Sequence, residues 1–184
     1  NPLQLAVMAS RIASGRDLTP RLIVNRRYPP QGGALPVDPE HLQLIRDAMF
    51  GVVNEGGTGA AARLLVPGAS LAAKTGTAQV RRISMAERGS GVLKNAALPF
   101  KLRDHALFIC FGPTEDPRYA AGIVLEHNGH TIRNLDTPMI GRDIMTYLLG
   151  RDRAMAALAE VEPTWGGDIA TRMRAEAAAW QAEK

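Results

Sequence analysis

LAAKTGTAQV, residues 71–80, and RDHALFICFGPTEDPRYAAGIVLEHNG, residues 103–129, carry three apolar runs bounded by turn residues. The first is Leu71–Val80. The second is Ala106–Gly112, closed by Pro113, and the third is Tyr119–Glu126, closed by the Asn128-Gly129 turn signal. Runs of this length between Pro, Gly and Asn read as strands. The link Pro113–Arg118 is short and rich in turn formers, so the last two strands are expected to form an antiparallel hairpin.

Helical patterns flank these strands. Pro2–Ala13 places Leu5, Met8 and Ile12 at helical spacing and stops at Gly15. A second helix has Asp38 as cap, Pro39 at the first helical position and Leu42, Ile45, Met49 and Val52 along one face, ending at Gly56-Gly57. Arg16–Pro36 is broken up by Pro and Gly, with an extended piece at Arg21–Val24. After the strands, Pro138 opens a helix with Ile140, Ile144, Tyr147 and Leu148 on one face. Past the Pro163–Gly167 break, Ile169, Met173, Ala177 and Trp180 suit one more amphipathic helix. Helices around three antiparallel strands predict a mixed α/β (α+β) fold. The expected division is a domain portion over 1–150 and a helical C-terminal tail over 151–184.

A chain of 184 residues, 46% hydrophobic and 22% charged, has globular composition and is long enough for one domain. It holds no apolar run of about 18 residues and no signal-peptide pattern. Asn1-Pro2, without a methionine, points to a start inside a longer protein. The single Cys110, inside the apolar run Leu107–Phe111, reads as a buried core thiol, with no internal disulfide or cysteine-based metal cluster. Six basic residues (Arg81, Arg82, Arg88, Lys94, Lys101 and Arg103) against Glu87 and Asp104 match the whole net charge of +4. This segment contains Gly89, Gly91 and Pro99 and has little periodicity, so it reads as a long loop. With Phe100 as its one aromatic it lacks the stacking platform of a single-strand binder, and no nucleic-acid partner is expected. Its charge suits the flank of a site for an anionic substrate, or an anionic membrane surface.

The chemistry-bearing feature is Lys74-Thr75-Gly76-Thr77 inside the first strand. K-T-G is one of three short motifs, with S-x-x-K and S-D-N, that build the site of penicillin-recognising serine enzymes. The other two are absent from this sequence. None of Ser10, Ser14, Ser70, Ser84 or Ser90 has a lysine three residues on, or Asn or Asp two residues on. Together with NPLQLAVMASRIASG (1–15) and NEGGTGAAARL (54–64), in the same order, the stretches quoted above resemble the C-terminal region of class B penicillin-binding proteins. The elongation-type branch, penicillin-binding protein 2, is the nearest match, and the resemblance runs from Asn1 to about Gly150.

The resemblance implies the C-terminal part of a peptidoglycan D,D-transpeptidase. That enzyme cross-links stem peptides through an acyl-serine intermediate and is acylated by β-lactams. It implies no cofactor and no metal. The nucleophilic Ser and its Lys would come from a missing N-terminal part of the same protein. That part would also carry the anchor holding the enzyme in the periplasm on the inner membrane, beside a glycan-polymerising membrane partner. Two strands that lie beside the last three in the family's five-stranded sheet are also missing, so the edge of Tyr119–Glu126 is expected to be open. Cleaving a D-alanyl–D-alanine peptide needs an oxyanion hole and an anchor for the free carboxylate. Strand alternation puts the Thr75 and Thr77 hydroxyls on one face, where they can hold a carboxylate, and Gly76 lets the substrate backbone lie close. The Thr77 N–H can donate to the oxyanion, and by resemblance Lys74 supplies positive potential on the cleft floor.

Weaker candidates stand beside these. Gln79 follows the family pattern, although its side chain can simply line the far end of the strand. Asp104 and His105 precede the second strand; His105 has an acid–base reading, and a hydrogen-bonded strand-entry role is the better one. Gly57–Ala62 is not a dinucleotide loop, because it follows a helix rather than a strand; it reads as a helix-to-strand connection that, by resemblance, matches a family segment near the cleft. His127 and His130 offer half a metal site at most. The alternative function, from another class, is a non-catalytic carboxylate- or partner-binding module, which the absence of S-x-x-K supports.

Overall fold

The computed structural model describes residues 1–21, Ile23, 32–129 and 136–161, and only the backbone of 157–161. Residues 1–145 form one unit; a second begins at Thr146. The first helix, α1 (Pro2–Ser14), starts with a capping box in which Asn1 and Gln4 satisfy each other's end of the helix. It ends at Gly15, whose left-handed φ of 70° suits a residue without Cβ. The second, α2 (Pro39–Asn54), is capped by the Asp38 side chain accepting from Glu40 N–H.

Three strands follow: β1 (Ala72–Ala78), β2 (His105–Gly112) and β3 (Tyr119–Leu125), in the spatial order β1-β2-β3 and antiparallel throughout. This is the mixed fold with three antiparallel strands that the sequence predicts, and the hairpin of β2 and β3 is present. Among the described residues β3 pairs with β2 alone, so its outer edge is open there. The register sets Lys74 opposite Ile109, Thr75 opposite Phe108 and Thr77 opposite Ala106.

The two faces of the sheet bury different partners. Ala72, Ile109 and Phe111 pack with Ala9 and Ala13 of α1 and Met49 of α2. On the other face, Ala73, Phe108 and Cys110 pack with Val53 and with Met145 of α4 (Thr137–Leu149). α1 approaches β3 so closely that a Cβ at Gly122 would lie 2.7 Å from the Pro2 carbonyl oxygen and 2.8 Å from Ala6 N. Between α1 and α2, Arg46 Nε donates to the Ile12 carbonyl at 2.8 Å, a bond that ties the two helices.

Two expectations need correction. The helix faces are borne out only in part: Leu42 and Met49 of α2 are buried and Leu5 and Ile12 of α1 pack partly buried on the core, but the other large residues of the pattern are not in the buried stripe. In α1 it is Ala9 and Ala13, while Met8 is exposed. In α2 it is Leu42, Met49 and Val53, with Ile45 exposed. In α4 it is Pro138, Gly141 and Met145, with Ile144, Tyr147 and Leu148 facing solvent. Where a helix comes closest to the sheet, as at Gly141 against the Phe108 ring, a residue that leaves room for the approach takes the buried place. The basic segment is also not a plain loop. It contains a short helix, α3 (Met85–Ser90), and single 3-10 turns at Asn95–Ala97 and Phe100–Leu102.

The second unit takes in the last turn of α4, where Gly150 N–H bonds to the Thr146 carbonyl, and α5 (Arg151–Val161). The helix read around Ile169–Trp180, the extended piece through Val24 and His130 lie outside the described residues. Among the described residues no helix is long and apolar enough to cross a membrane.

Candidate functional site

β1 hydrogen-bonds to β2 along one edge and, among the described residues, to no strand along the other. Beside that strand lies a cavity of about 520 Å³, lined by Lys74, Thr75, Gly76 and Thr77, by Thr58, and by Asp136, Thr137 and Pro138. The whole Lys-Thr-Gly-Thr run therefore meets one hollow. Lys74 is exposed, and its Nζ donates to the Thr75 carbonyl at 2.7 Å; among the described residues no carboxylate pairs with it. Gly76 is not forced by the fold. A Cβ there would make only an ordinary contact, 3.4 Å from the Leu107 Cβ. Without a Cβ, this position leaves room for close approach along the strand.

Thr58 is brought in by the turn that follows α2. Gly57 packs so tightly on the helix end that a Cβ would lie 2.6 Å from Val52 Cα, and Gly59 N–H bonds back to the Val52 carbonyl at 3.1 Å. The connection then runs through a 3-10 turn at Ala60–Ala62, with Ala62 buried as its anchor. So placed, the Thr58 and Thr75 hydroxyls lie 2.8 Å apart and hydrogen-bond. The opposite wall is the start of α4. The Asp136 carbonyl accepts from Met139 and Ile140 N–H, and Pro138 fits the first turn because it has no N–H to satisfy. Gly141 then seats the helix directly on the Phe108 ring.

The weaker candidates lie elsewhere. Gln79 lines a separate hollow with Arg81, Arg82 and Arg88. His105 sits opposite Ala78 at the far end of β1. Its Nδ1 accepts the His127 N–H at 2.9 Å, and the two rings meet edge to face at 4.7 Å, with His127 at φ 55°. Asp104 is held by Asn95, whose amide donates to the carboxylate at 2.9 Å and accepts the Asp104 N–H at 2.8 Å. Cys110 is fully buried, and burial pushes its thiol up to about 12.

Thr58, Asp136, Thr137 and Pro138 were not legible as site residues from the sequence. For Thr58 the available signal was the NEGGTGAAARL stretch, and for Asp136–Pro138 the helix-start pattern. The first, by resemblance, belongs near the cleft, and Thr58 does line the cavity; the helix-start pattern says nothing of which cavity it lines. The arrangement as a whole offers a cation, paired hydroxyls and an open strand edge, the equipment for holding an extended chain that ends in a carboxylate.

A family model described as the penicillin binding protein transpeptidase domain matches residues 1–146. The peptidoglycan D,D-transpeptidase MrdA of Salmonella typhimurium is 33% identical over 141 residues, covering 70% of this chain and 22% of that protein. MrdA of Acinetobacter baumannii is 37% identical over 86 residues, covering 47% of this chain and 12% of that protein. The chain thus spans less than a quarter of the length of the curated relatives it matches. Among solved structures, penicillin-binding protein 2 of Helicobacter pylori in complex with MreC aligns with a TM-score of 0.59 at 27% identity, covering 82% of this chain and 25% of that one. The transpeptidase domain of Burkholderia pseudomallei penicillin-binding protein 3 shares the fold, with a TM-score of 0.61 at 21% identity over 80% of this chain and 41% of that one. The Lys-Thr-Gly-Thr edge, the three-stranded sheet and these matches agree: the chain belongs to the penicillin-binding protein transpeptidase domain family.

Proposed function

We propose that this chain is the C-terminal part of a peptidoglycan D,D-transpeptidase and supplies one wall of its active site. The observation that carries the reading is the convergence of Lys74, Thr75, Gly76 and Thr77 on one cavity beside an open strand edge. In the reaction, a serine from outside this sequence attacks the penultimate D-Ala carbonyl of a donor stem peptide. The terminal D-Ala leaves, and the acyl group passes to an amine of a neighbouring stem. The Thr75 and Thr77 hydroxyls anchor the donor's carboxylate, with Thr58 orienting the Thr75 hydroxyl. The Thr77 N–H donates to the oxyanion. Lys74 provides positive potential where the carboxylate and the developing oxyanion gather. Removing one oxyanion donor costs about 3–4 kcal/mol of transition-state stabilisation in such sites.

β-Lactams would acylate the same serine by imitating the dipeptide. The full-length protein is placed in the periplasm on an inner-membrane anchor, contributing to cell shape beside a glycan-polymerising partner. MreC, found with the Helicobacter pylori neighbour, is a further candidate partner. Gln79 and His105 do not line the carboxylate cavity. The test is labelling by fluorescent penicillin, read on a denaturing gel with intact-mass analysis. The full-length protein is expected to take the label and the 184-residue chain alone to take none. A covalent adduct on the isolated chain would overturn the division of the site. Full-length protein that binds the peptide but never acylates would favour a non-catalytic carboxylate-binding module.

A further inference from the structure

Past Ala78 the chain leaves β1 and enters the basic segment, where a second hollow of about 680 Å³ opens. It is lined by Gln79, Arg81, Arg82, Ile83, Ser84 and Arg88, among others. Three guanidinium groups around one hollow repel one another unless anions are close. Arg81 has its anion. It forms a two-pronged bond with Glu87, at 2.6 and 2.5 Å, largely shielded from solvent. The same carboxylate accepts Leu93 N–H at 3.3 Å, while the Ser84 hydroxyl caps α3 by accepting Glu87 N–H at 3.1 Å. Asp104, the other acid of the segment, is held by Asn95. Arg82 and Arg88 are exposed, and among the described residues neither pairs with a carboxylate.

We propose that Arg82 and Arg88 form an anionic subsite that reads a carboxylate on the donor peptide, upstream of the bond being cut. This rests on the assignment of Lys74–Thr77 given above, which also fixes the direction. A C-terminal carboxylate at the threonine hydroxyls and a scissile carbonyl at the Thr77 N–H oblige the rest of the peptide to run antiparallel to β1, toward Gln79. It adds to the open edge as an extra strand, held by main-chain bonds, while pockets for its side chains supply selectivity. Five residues separate Thr77 from Arg82, at most about 17 Å of extended chain. The carboxylate therefore lies within about five residues of the scissile bond. Guanidinium forks match a carboxylate in both charge and geometry. A lipid surface would satisfy the charge but not the strand edge that leads into the hollow.

The test uses the full-length protein and two dye-labelled peptides ending in D-Ala-D-Ala. They are identical except for a carboxylate or a carboxamide four residues before the C-terminus. Affinities are read by fluorescence anisotropy at 50 and 500 mM NaCl, in the wild type and in R82Q/R88Q. The wild type is expected to prefer the acid by about fivefold, less at high salt, and the ratio should fall to about one in the variant. A wild-type ratio of one, or a preference unchanged in R82Q/R88Q, overturns the subsite; the wild-type ratio decides the matter even if the variant does not fold. Fluorescent-penicillin labelling of the same sample separates the two readings. Label without an acid preference overturns the subsite alone. An arginine-dependent preference without label overturns the transpeptidase reading alone. Arginine-dependent sedimentation with phosphatidylglycerol vesicles, without peptide discrimination, overturns the subsite in favour of a membrane role.

Discussion

Gly141→Ala sets two opposed effects against each other at the point where the fold meets the site. Alanine in a helix interior is worth about 1 kcal/mol over glycine. Its Cβ, however, would lie 2.5 Å from Phe108 Cε1 and 2.8 Å from Cδ1. Phe108 is 0% exposed and lies opposite Thr75, so the ring has little room to retreat. Overpacking of a closed core costs about 1–3 kcal/mol. With contacts this short the cost falls in the upper part of that range, for a net loss of about 1–2 kcal/mol. In a chain of this size that is a melting decrease of roughly 2–8 °C. Urea unfolding followed by circular dichroism measures it, with an unchanged slope showing that the native state rather than the unfolded one has altered. Phe108→Leu in the same background should recover part of the loss, because the two changes share one contact. The shift of α4 should also disturb the Asp136–Pro138 wall of the cavity. A Gly141→Ala protein more stable than the wild type would mean that propensity wins, and would refute the packing of α4 on Phe108.

Asn54 donates to the carbonyls of Phe50 and of the buried Leu71, both at 2.9 Å, so Asn54→Ala is expected to cost about 1–3 kcal/mol in urea unfolding; a loss near zero would show that the Leu71 carbonyl is satisfied without it. Burial holds the Cys110 thiol up at about 12, above its unfolded value of about 8.5, so its contribution is intact below that lower value and is lost as pH rises toward 12. Native protein should resist iodoacetamide at pH 8 and react once unfolded; rapid native labelling contradicts the burial. The hydrogen bond from Arg81 holds the Glu87 carboxyl below its usual range, so the pair supports the 81–93 turn above about pH 4.5 and fades as pH falls through the lower folded value. Glu87→Gln should accelerate trypsin cleavage after Arg82 and Arg88, and an unchanged rate would remove the pair from any part in ordering this turn.

Strand identity was legible because each run is bounded by residues that stop a strand: Pro113 after β2, and Asn128-Gly129 after β3. Helix ends were legible for the same local reason, through Asp38-Pro39 and the left-handed Gly15. The buried face of α2 was partly legible through Leu42 and Met49, whereas that of α4 was not, since Gly141 sits where the helix meets the Phe108 ring and Ile144, Tyr147 and Leu148 are exposed. The α3 turn was not legible because the Ser84 cap and the Arg81–Glu87 pair define it, without periodicity. Lys74–Thr77 could be read from a motif, while Thr58 and Asp136 reach the same cavity through tertiary packing that no local pattern encodes. Gln79 shows the converse: a neighbour in sequence that opens onto a different hollow.

The most direct test is a crystal structure of the full-length protein acylated by a penicillin. The expected adduct has its carboxylate within about 3.2 Å of the Thr75 and Thr77 hydroxyls and its acyl oxygen within about 3.1 Å of the Thr77 N–H, hydrogen-bonding distances in each case. An adduct whose carboxylate and acyl oxygen are both held by other residues, with the Lys74–Thr77 edge empty, would contradict the assignment of this strand as the substrate-binding wall.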